Sequence, residues 1–213
     1  MDYLIYILAI CISAPLILMT ALADPKTRRL LGFMILGMYI AVLASEINSI
    51  LAYVFRNSMD HFHITITFTP VNEEILKALP LLFTAVAISD NREFLFQQAM
   101  SIGIGFAILE NTFILLQNVE SVSLLWAMIR GFASSLMHAL CTISIGIGIS
   151  LIKKRRKLFV CSTFAWLLTA SIYHSMFNML VQSDYWYVGV VIPIISYIPI
   201  AIVIRKRKLN ANS

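Results

Sequence analysis

The chain has 213 residues, 60% of them hydrophobic and 13% charged, with a mean hydropathy of +0.85 and a net charge of +5. Soluble domains are about 45–50% apolar and about 25% charged, so this balance excludes an ordinary water-soluble bundle and indicates a polytopic helical membrane protein. The basic excess sits in short loops, which makes it a topology signal with the lipid bilayer as partner, and argues against nucleic acid.

Seven apolar spans are expected, over roughly 3–22, 31–55, 71–88, 94–117, 124–152, 158–181 and 186–204. The first is followed by ALAD, which resembles a cleavage site. It has no Lys or Arg before it, carries Asp2 and is too long for a signal core, so an uncleaved span is expected. Lys26, Arg28 and Arg29 follow it; Arg92 lies between spans three and four; KKRRK (153–157) lies between five and six; RKRK (205–208) ends the chain. Thirteen of the sixteen Lys and Arg thus fall in alternate loops and the tail, which predicts an outside N-terminus and a cytoplasmic C-terminus. The stretch RNSMDHFHITITFTP is then an outside loop, with His61 and His63 solvated rather than metal-ligating. The fifth span, at 29 residues, is long enough to tilt or break. Cys11, Cys141 and Cys161 are scattered through apolar spans and read as packing residues. The pairs Gly103/Gly105 and Gly146/Gly148 read as small-residue helix contacts. No soluble domain or repeat interrupts the pattern, so 1–213 is read as one integral membrane domain with a catalytic core over about 66–181.

Ionisable and amide groups inside spans are costly and mark function. Here they are Glu46, Asn48, Glu73, Glu74, Lys77, Glu110, Asn111, Arg130, His138, His174 and Asn178. Those of spans three to six fall at one level, between mid-membrane and the outer face, and Pro80 is expected to kink span three below them. Glu73 and Lys77 are spaced i, i+4 in the favourable order, which predicts that Lys77 holds Glu73 and leaves Glu74 as the base. His174 and Asn178 share one helix face. No GxSxG, HExxH, Cys–His or paired-Asp motif is present. The remaining chemistry is water activation. A carboxylate in an apolar site acts as general base, a histidine passes the proton on, and Asn178 with Arg130 stabilises an oxyanion. Alternatively Glu110, His138 and His174 hold a zinc ion that activates the water, although their spacing is no recognised zinc motif. Glu46 and Asn48 read as packing polars or cavity lining.

Four motifs, PVNEEILK (70–77), FAILEN (106–111), the Arg130-to-His138 span and HSMFN (174–178), together resemble those of the PrsW-type intramembrane proteases. These belong to a wider superfamily with CAAX prenyl endopeptidases and bacteriocin-processing membrane proteins. The resemblance covers about residues 30–204. It implies a multi-pass plasma-membrane protease whose Glu73, Glu74 and His174 are catalytic. Its substrate would be a single-span, anti-sigma-factor-like membrane protein, cut on the extracytoplasmic side. Glu110 stands where the prenyl endopeptidases carry a histidine, which disfavours a prenylated substrate. Within this reading Glu110, His138 and Asn178 complete the catalytic set, and Lys77, Asn111 and Arg130 support it.

A non-catalytic membrane scaffold on the same fold is the alternative. The paired carboxylates favour the enzyme. A proton-relay transporter would need polar groups through the whole depth, and the inner half has almost none.

Overall fold

The computed structural model describes residues 3–152 and 156–211, with side chains through 202 apart from 156 and 200. Seven α-helices run in order: α1 (Leu4–Leu22), α2 (Pro25–Phe55), α3 (His61–Ala87), α4 (Arg92–Gln117), α5 (Leu124–Ile149), α6 (Arg156–Val181) and α7 (Trp186–Ala211). Among the described residues there is no strand. Side-chain caps start four of them. Asp24 accepts from the Lys26 and Thr27 amides with Pro25 in the first turn, and Asp60, Asn91 and Ser123 accept from His63, Phe94 and Trp126.

Five helices (α1, α2, α4, α5 and Lys157–Val181 of α6) are long and apolar enough to cross a membrane. α3 fails that test because it carries Glu73, Glu74 and Lys77; in α7 the apolar part is the shorter Trp186–Pro199. The protein is a multi-pass helical bundle. Successive helices pack antiparallel. Tyr6 meets Glu46 and Ser13 meets Tyr39 across α1–α2, and Cys141 meets Ala170 across α5–α6. Of the two basic clusters, Lys153, Lys154 and Arg155 lie outside the described residues, as do the side chains of 205–208.

α5 is the most enclosed of the five crossing helices and packs against α3, α4, α6 and α7. Lipid tails are as apolar as leucine, so helix association here depends on close fit more than on hydrophobicity. The glycines supply it. A Cβ on Gly103 would stand 2.6 Å from the His138 carbonyl, and one on Gly148 would stand 2.8 Å from the Thr163 Cα. Gly37 and Gly105 bring α4 equally close to the α2 backbone, against Ile102 and Met34. α5 itself is unbroken and ends at Ile149, shorter than the 29-residue span expected.

The largest departure from expectation is the start of α3. It begins at His61, ten residues before the predicted span, so HFHITITF is helix rather than loop. Asp60 caps it, and the His63 backbone N–H, then its ring, hold the Asp60 carboxyl below its usual pKa. Pro70 resembles a first-turn proline but lies inside the helix, where it leaves the Ile66 carbonyl without an amide donor. Asn178 of α6 donates to the adjacent Thr65 carbonyl at 3.3 Å and fastens α3 at that point. Glu73 and Glu74 therefore lie near the middle of a helix, not at its interfacial start. That removes the simple reading of them as acids at a helix N-terminus.

Candidate active site

Five helices, α2 to α6, converge on one buried polar network. Lys77 of α3 donates from Nζ to Glu74 Oε1 at 2.6 Å, one turn back on the same helix, and both side chains are fully buried. The expected Glu73–Lys77 pair is not formed. Both i, i+3 and i, i+4 are open to a helical lysine. The choice falls to Glu74 because α5 and α6 stand on that side of α3.

From Lys77 the network runs to α5. Nζ lies 3.0 Å from His138 Nδ1. A lysine ammonium has only donors, so Nδ1 accepts and the His138 proton resides on Nε2. That N–H donates to Glu110 Oε2 of α4 at 2.8 Å. The Phe106 ring roofs this corner, 4.5 Å from Lys77 Nζ and 4.9 Å from the His138 ring. From Glu74 the network runs to α6, where His174 Nδ1 donates to Glu74 Oε1 at 2.9 Å. The two imidazoles meet edge to face, 4.9 Å apart.

This wiring leaves Glu73 Oε2 and Glu74 Oε2 buried without a partner, and the first of them faces a gap. With its proton on Nδ1, neutral His174 presents a bare lone pair at Nε2. It faces Glu73 Oε2 at 3.8 Å, and Oε2 is buried with no partner. Two lone pairs across such a distance in a buried site call for something between them: a proton, a water or a cation. Glu73 Oε1 is satisfied from α2, by Asn48 Nδ2 at 3.1 Å.

Glu73, His138 and His174 each offer a ligand atom, all within 4.8 Å of one another, so this Glu/His/His cluster can hold a metal ion. Glu73 thus takes the place expected for Glu110, which is committed to His138. The donor types suit a divalent transition metal. The carboxylate behind His174 is the usual support that orients a ligating imidazole. Glu73 Oε2 and His174 Nε2 are free to bind; His138 has to exchange one of its two hydrogen bonds to join them.

The other expected residues are placed as follows. Asn178 lies a turn from His174 but spends its amide on the Thr65 carbonyl, not on the carboxylate cluster. Asn111 is buried beside Glu110 with Oδ1 unpartnered. Arg130 makes no ion pair within 4.0 Å among the described residues; it lies over Trp126 at 5.5 Å with Nε buried and unpartnered. Glu46 accepts from Tyr6 of α1 at 2.7 Å. His61 and His63 remain exposed and far in the fold from the network. Two residues read as unremarkable or passed over, Asn48 and Asn72, belong to the site. Glu110 is its open end, with 23% of its side chain exposed. Two turns along α4 from Glu110, Gln117 lines an open groove with Phe113, Ser45, Ser49 and Ile5.

Membrane-crossing helices that enclose carboxylates and imidazoles in this way are what a membrane-embedded hydrolase requires. The sequence model of the PrsW family of intramembrane metalloproteases matches residues 25–204; the chain belongs to that family and is an intramembrane protease. α1 lies outside the matched region. No curated protein and no solved structure matches the chain.

Proposed function

We propose that this protease cleaves a single-span membrane protein by a water held between Glu73 Oε2 and His174 Nε2. The observation that carries the reading is that His174 Nε2 faces Glu73 Oε2 across 3.8 Å in a buried site, where Oε2 has no partner. A water placed there donates to both. Glu73 takes one proton as the oxygen attacks the peptide carbonyl carbon, and passes it to His174 Nε2, which delivers it to the amine as the C–N bond breaks. Glu74 keeps the His174 proton on Nδ1 and stabilises the imidazolium formed in that exchange, while Lys77 balances the Glu74 charge. Glu110, through His138 and Lys77, links the buried group to the open side of the network. A divalent cation held by Glu73, His174 and His138, zinc in this proposal, would supply a more acidic water and a polarised carbonyl.

The catalytic set is then Glu73, Glu74, Glu110, His138 and His174, with Lys77 in support. Asn178 acts as a fastener of α3 rather than an oxyanion donor. The family resemblance supports an anti-sigma-factor-like substrate. The basic residues Lys26, Arg28, Arg29 and Arg92 gather at one end of the bundle and support an orientation with that end cytoplasmic, in a plasma membrane. Glu110, His174 and Asn178 lie toward the opposite ends of their helices, which supports cleavage near the extracytoplasmic face.

The test is reconstitution in liposomes with a single-span anti-sigma-factor-type protein. Glu73→Gln and His174→Ala should each abolish cleavage; cleavage surviving in both overturns the assignment. A reporter fused after Ser213 should read as cytoplasmic.

A further inference from the structure

Glu73 and Glu74 each keep one buried oxygen without a partner, but the Glu73 one faces His174 Nε2, and its other oxygen is held from another helix. Oε2 faces the gap, and Oε1 is tied to a neighbouring helix. The tie is a chain of two amides. Asn72 Nδ2 donates to Asn48 Oδ1 at 2.8 Å and reaches the Ala44 carbonyl at 3.4 Å. Asn48 Nδ2 donates to Glu73 Oε1 at 3.1 Å.

The chain has a direction that chemistry enforces. The Asn72 amine faces two acceptors, the Asn48 oxygen and a main-chain carbonyl, so its orientation is set. Asn48 must then present its oxygen to Asn72 and its amine to Glu73. Flipping it would put amine on amine and oxygen on carboxylate, losing both bonds. Asn48 is therefore a permanent donor to Oε1. The donor also sets the carboxylate plane, and it leaves Oε2 as the atom aimed at His174.

The geometry reaches further than one contact. Asn72 and Glu73 are consecutive, about 100° apart around α3. Both engage the same α2 side chain, which is met at only one rotation of α3 about its axis. That rotation also decides where Glu74 and Lys77 point, since they leave the same two turns.

We infer that Asn48 is a positioning residue for Glu73, and that Asn72 acts through it by locking the Asn48 amide. The inference rests on the reading of Glu73 as the reacting carboxylate. It gives the α2–α3 contact a role in turnover and not only in packing.

The test compares Asn48→Asp, Asn48→Ala, Asn72→Ala and Glu73→Gln in liposomes, measuring kcat and KM on one single-span protein that the wild type cleaves. Zinc binding to the purified proteins is measured in parallel. Asn48→Asp keeps shape and the acceptor for Asn72, and sets a carboxyl oxygen in place of the amide donor against Glu73, whereas Asn48→Ala removes the donor without adding charge. Expected are a loss of about 10–100-fold in kcat for both Asn48 variants and a smaller loss for Asn72→Ala, with KM unchanged. Zinc affinity falls in both Asn48 variants and at least as far in Glu73→Gln; wild-type zinc affinity in a folded Asn48→Ala counts against the inference. Should Asn48→Asp not survive extraction, Asn48→Ala decides. Wild-type kcat in a folded Asn48→Ala, with Glu73→Gln inactive, overturns the inference and leaves the function standing. A change in KM alone, or a kcat loss that only follows thermal instability, overturns it equally, because either marks a packing role. Full activity in Glu73→Gln instead overturns the reading on which it rests.

Discussion

Lys77 is paired with Glu74 and not with Glu73: Nζ stands 2.6 Å from Glu74 Oε1, one turn away on α3, with both side chains fully buried. This relationship divides the labour of the two adjacent carboxylates. Glu74 is held by Lys77 and His174 and has its charge balanced. Glu73 has one oxygen tied and the other free. Glu74 also keeps one oxygen without a partner, but it is the Glu73 oxygen that faces His174 Nε2 across a gap, so Glu74 organises and Glu73 performs.

Removing the cation should expose that division. Lys77→Met leaves Glu74 charged and buried with only His174 as partner, and breaking one half of a buried pair is expected to destabilise by about 3–5 kcal/mol. In Lys77→Met/Glu74→Gln the unpaired charge is gone, and most of the stability should return without activity. Thermal unfolding in detergent alongside cleavage assays reads both. A double variant no more stable than Lys77→Met would show that the pair is not the source of the loss.

The two glutamines should differ in kind. Glu73→Gln removes the base with no orphaned cation beside it, so the protein is expected to stay folded while kcat falls by about 10²–10⁴-fold. Glu74→Gln strands Lys77 and weakens the hold on His174, so it should lose stability as well as activity. If Glu74→Gln is as stable as wild type and Glu73→Gln is not, the roles are reversed.

Metal content separates the two candidate ligand sets. Protein purified without chelator is expected to carry about one zinc, as a three-ligand catalytic site does. Glu73→Ala and His174→Ala should lose it, and Glu110→Ala should keep it. Elemental analysis of the four proteins decides. Zinc lost from Glu110→Ala but retained in Glu73→Ala would restore the set expected from residue types alone.

How much of this was legible in the sequence depends on the distance over which each feature is decided. The membrane bundle was legible because apolar length and loop charge are local. So were the motifs themselves, since glutamates, histidines and a lysine inside apolar helices have few structural uses. The start of α3 was not, because Pro70 and the Thr65–Thr69 run imitate a loop, and the Asn178 bond that holds the helix there comes from α6. The partner of Lys77 was not, because both spacings are allowed on one helix and α5 and α6 select between them. Asn48 was singled out as an intramembrane polar group but read as packing or cavity lining, because its role shows only once Glu73 and Asn72 are seen against it. The placement of Glu110 on His138, which frees Glu73 to face the gap, was likewise a tertiary outcome.

Close backbone contact between α4 and α5 sets the last prediction. Gly103 meets the α5 backbone at His138 itself, where an added Cβ would lie 2.6 Å from its carbonyl oxygen and 2.8 Å from the Ala139 Cα. Neither neighbour is the end of a flexible side chain, so Gly103→Ala must push the two helices apart. The Glu110–His138 bond crosses that same interface at 2.8 Å. Overpacking of this sort costs about 1–3 kcal/mol. A shift of an ångström at a reacting centre can lower the rate by about 10²-fold. Gly103→Ala should therefore depress kcat far more than its stability loss suggests. Gly131→Ala, also in α5 but with open space around its Cβ, should leave both unchanged. Equal behaviour of the two variants in cleavage and unfolding assays would show that the α4–α5 contact does not set the geometry of the His138 pair.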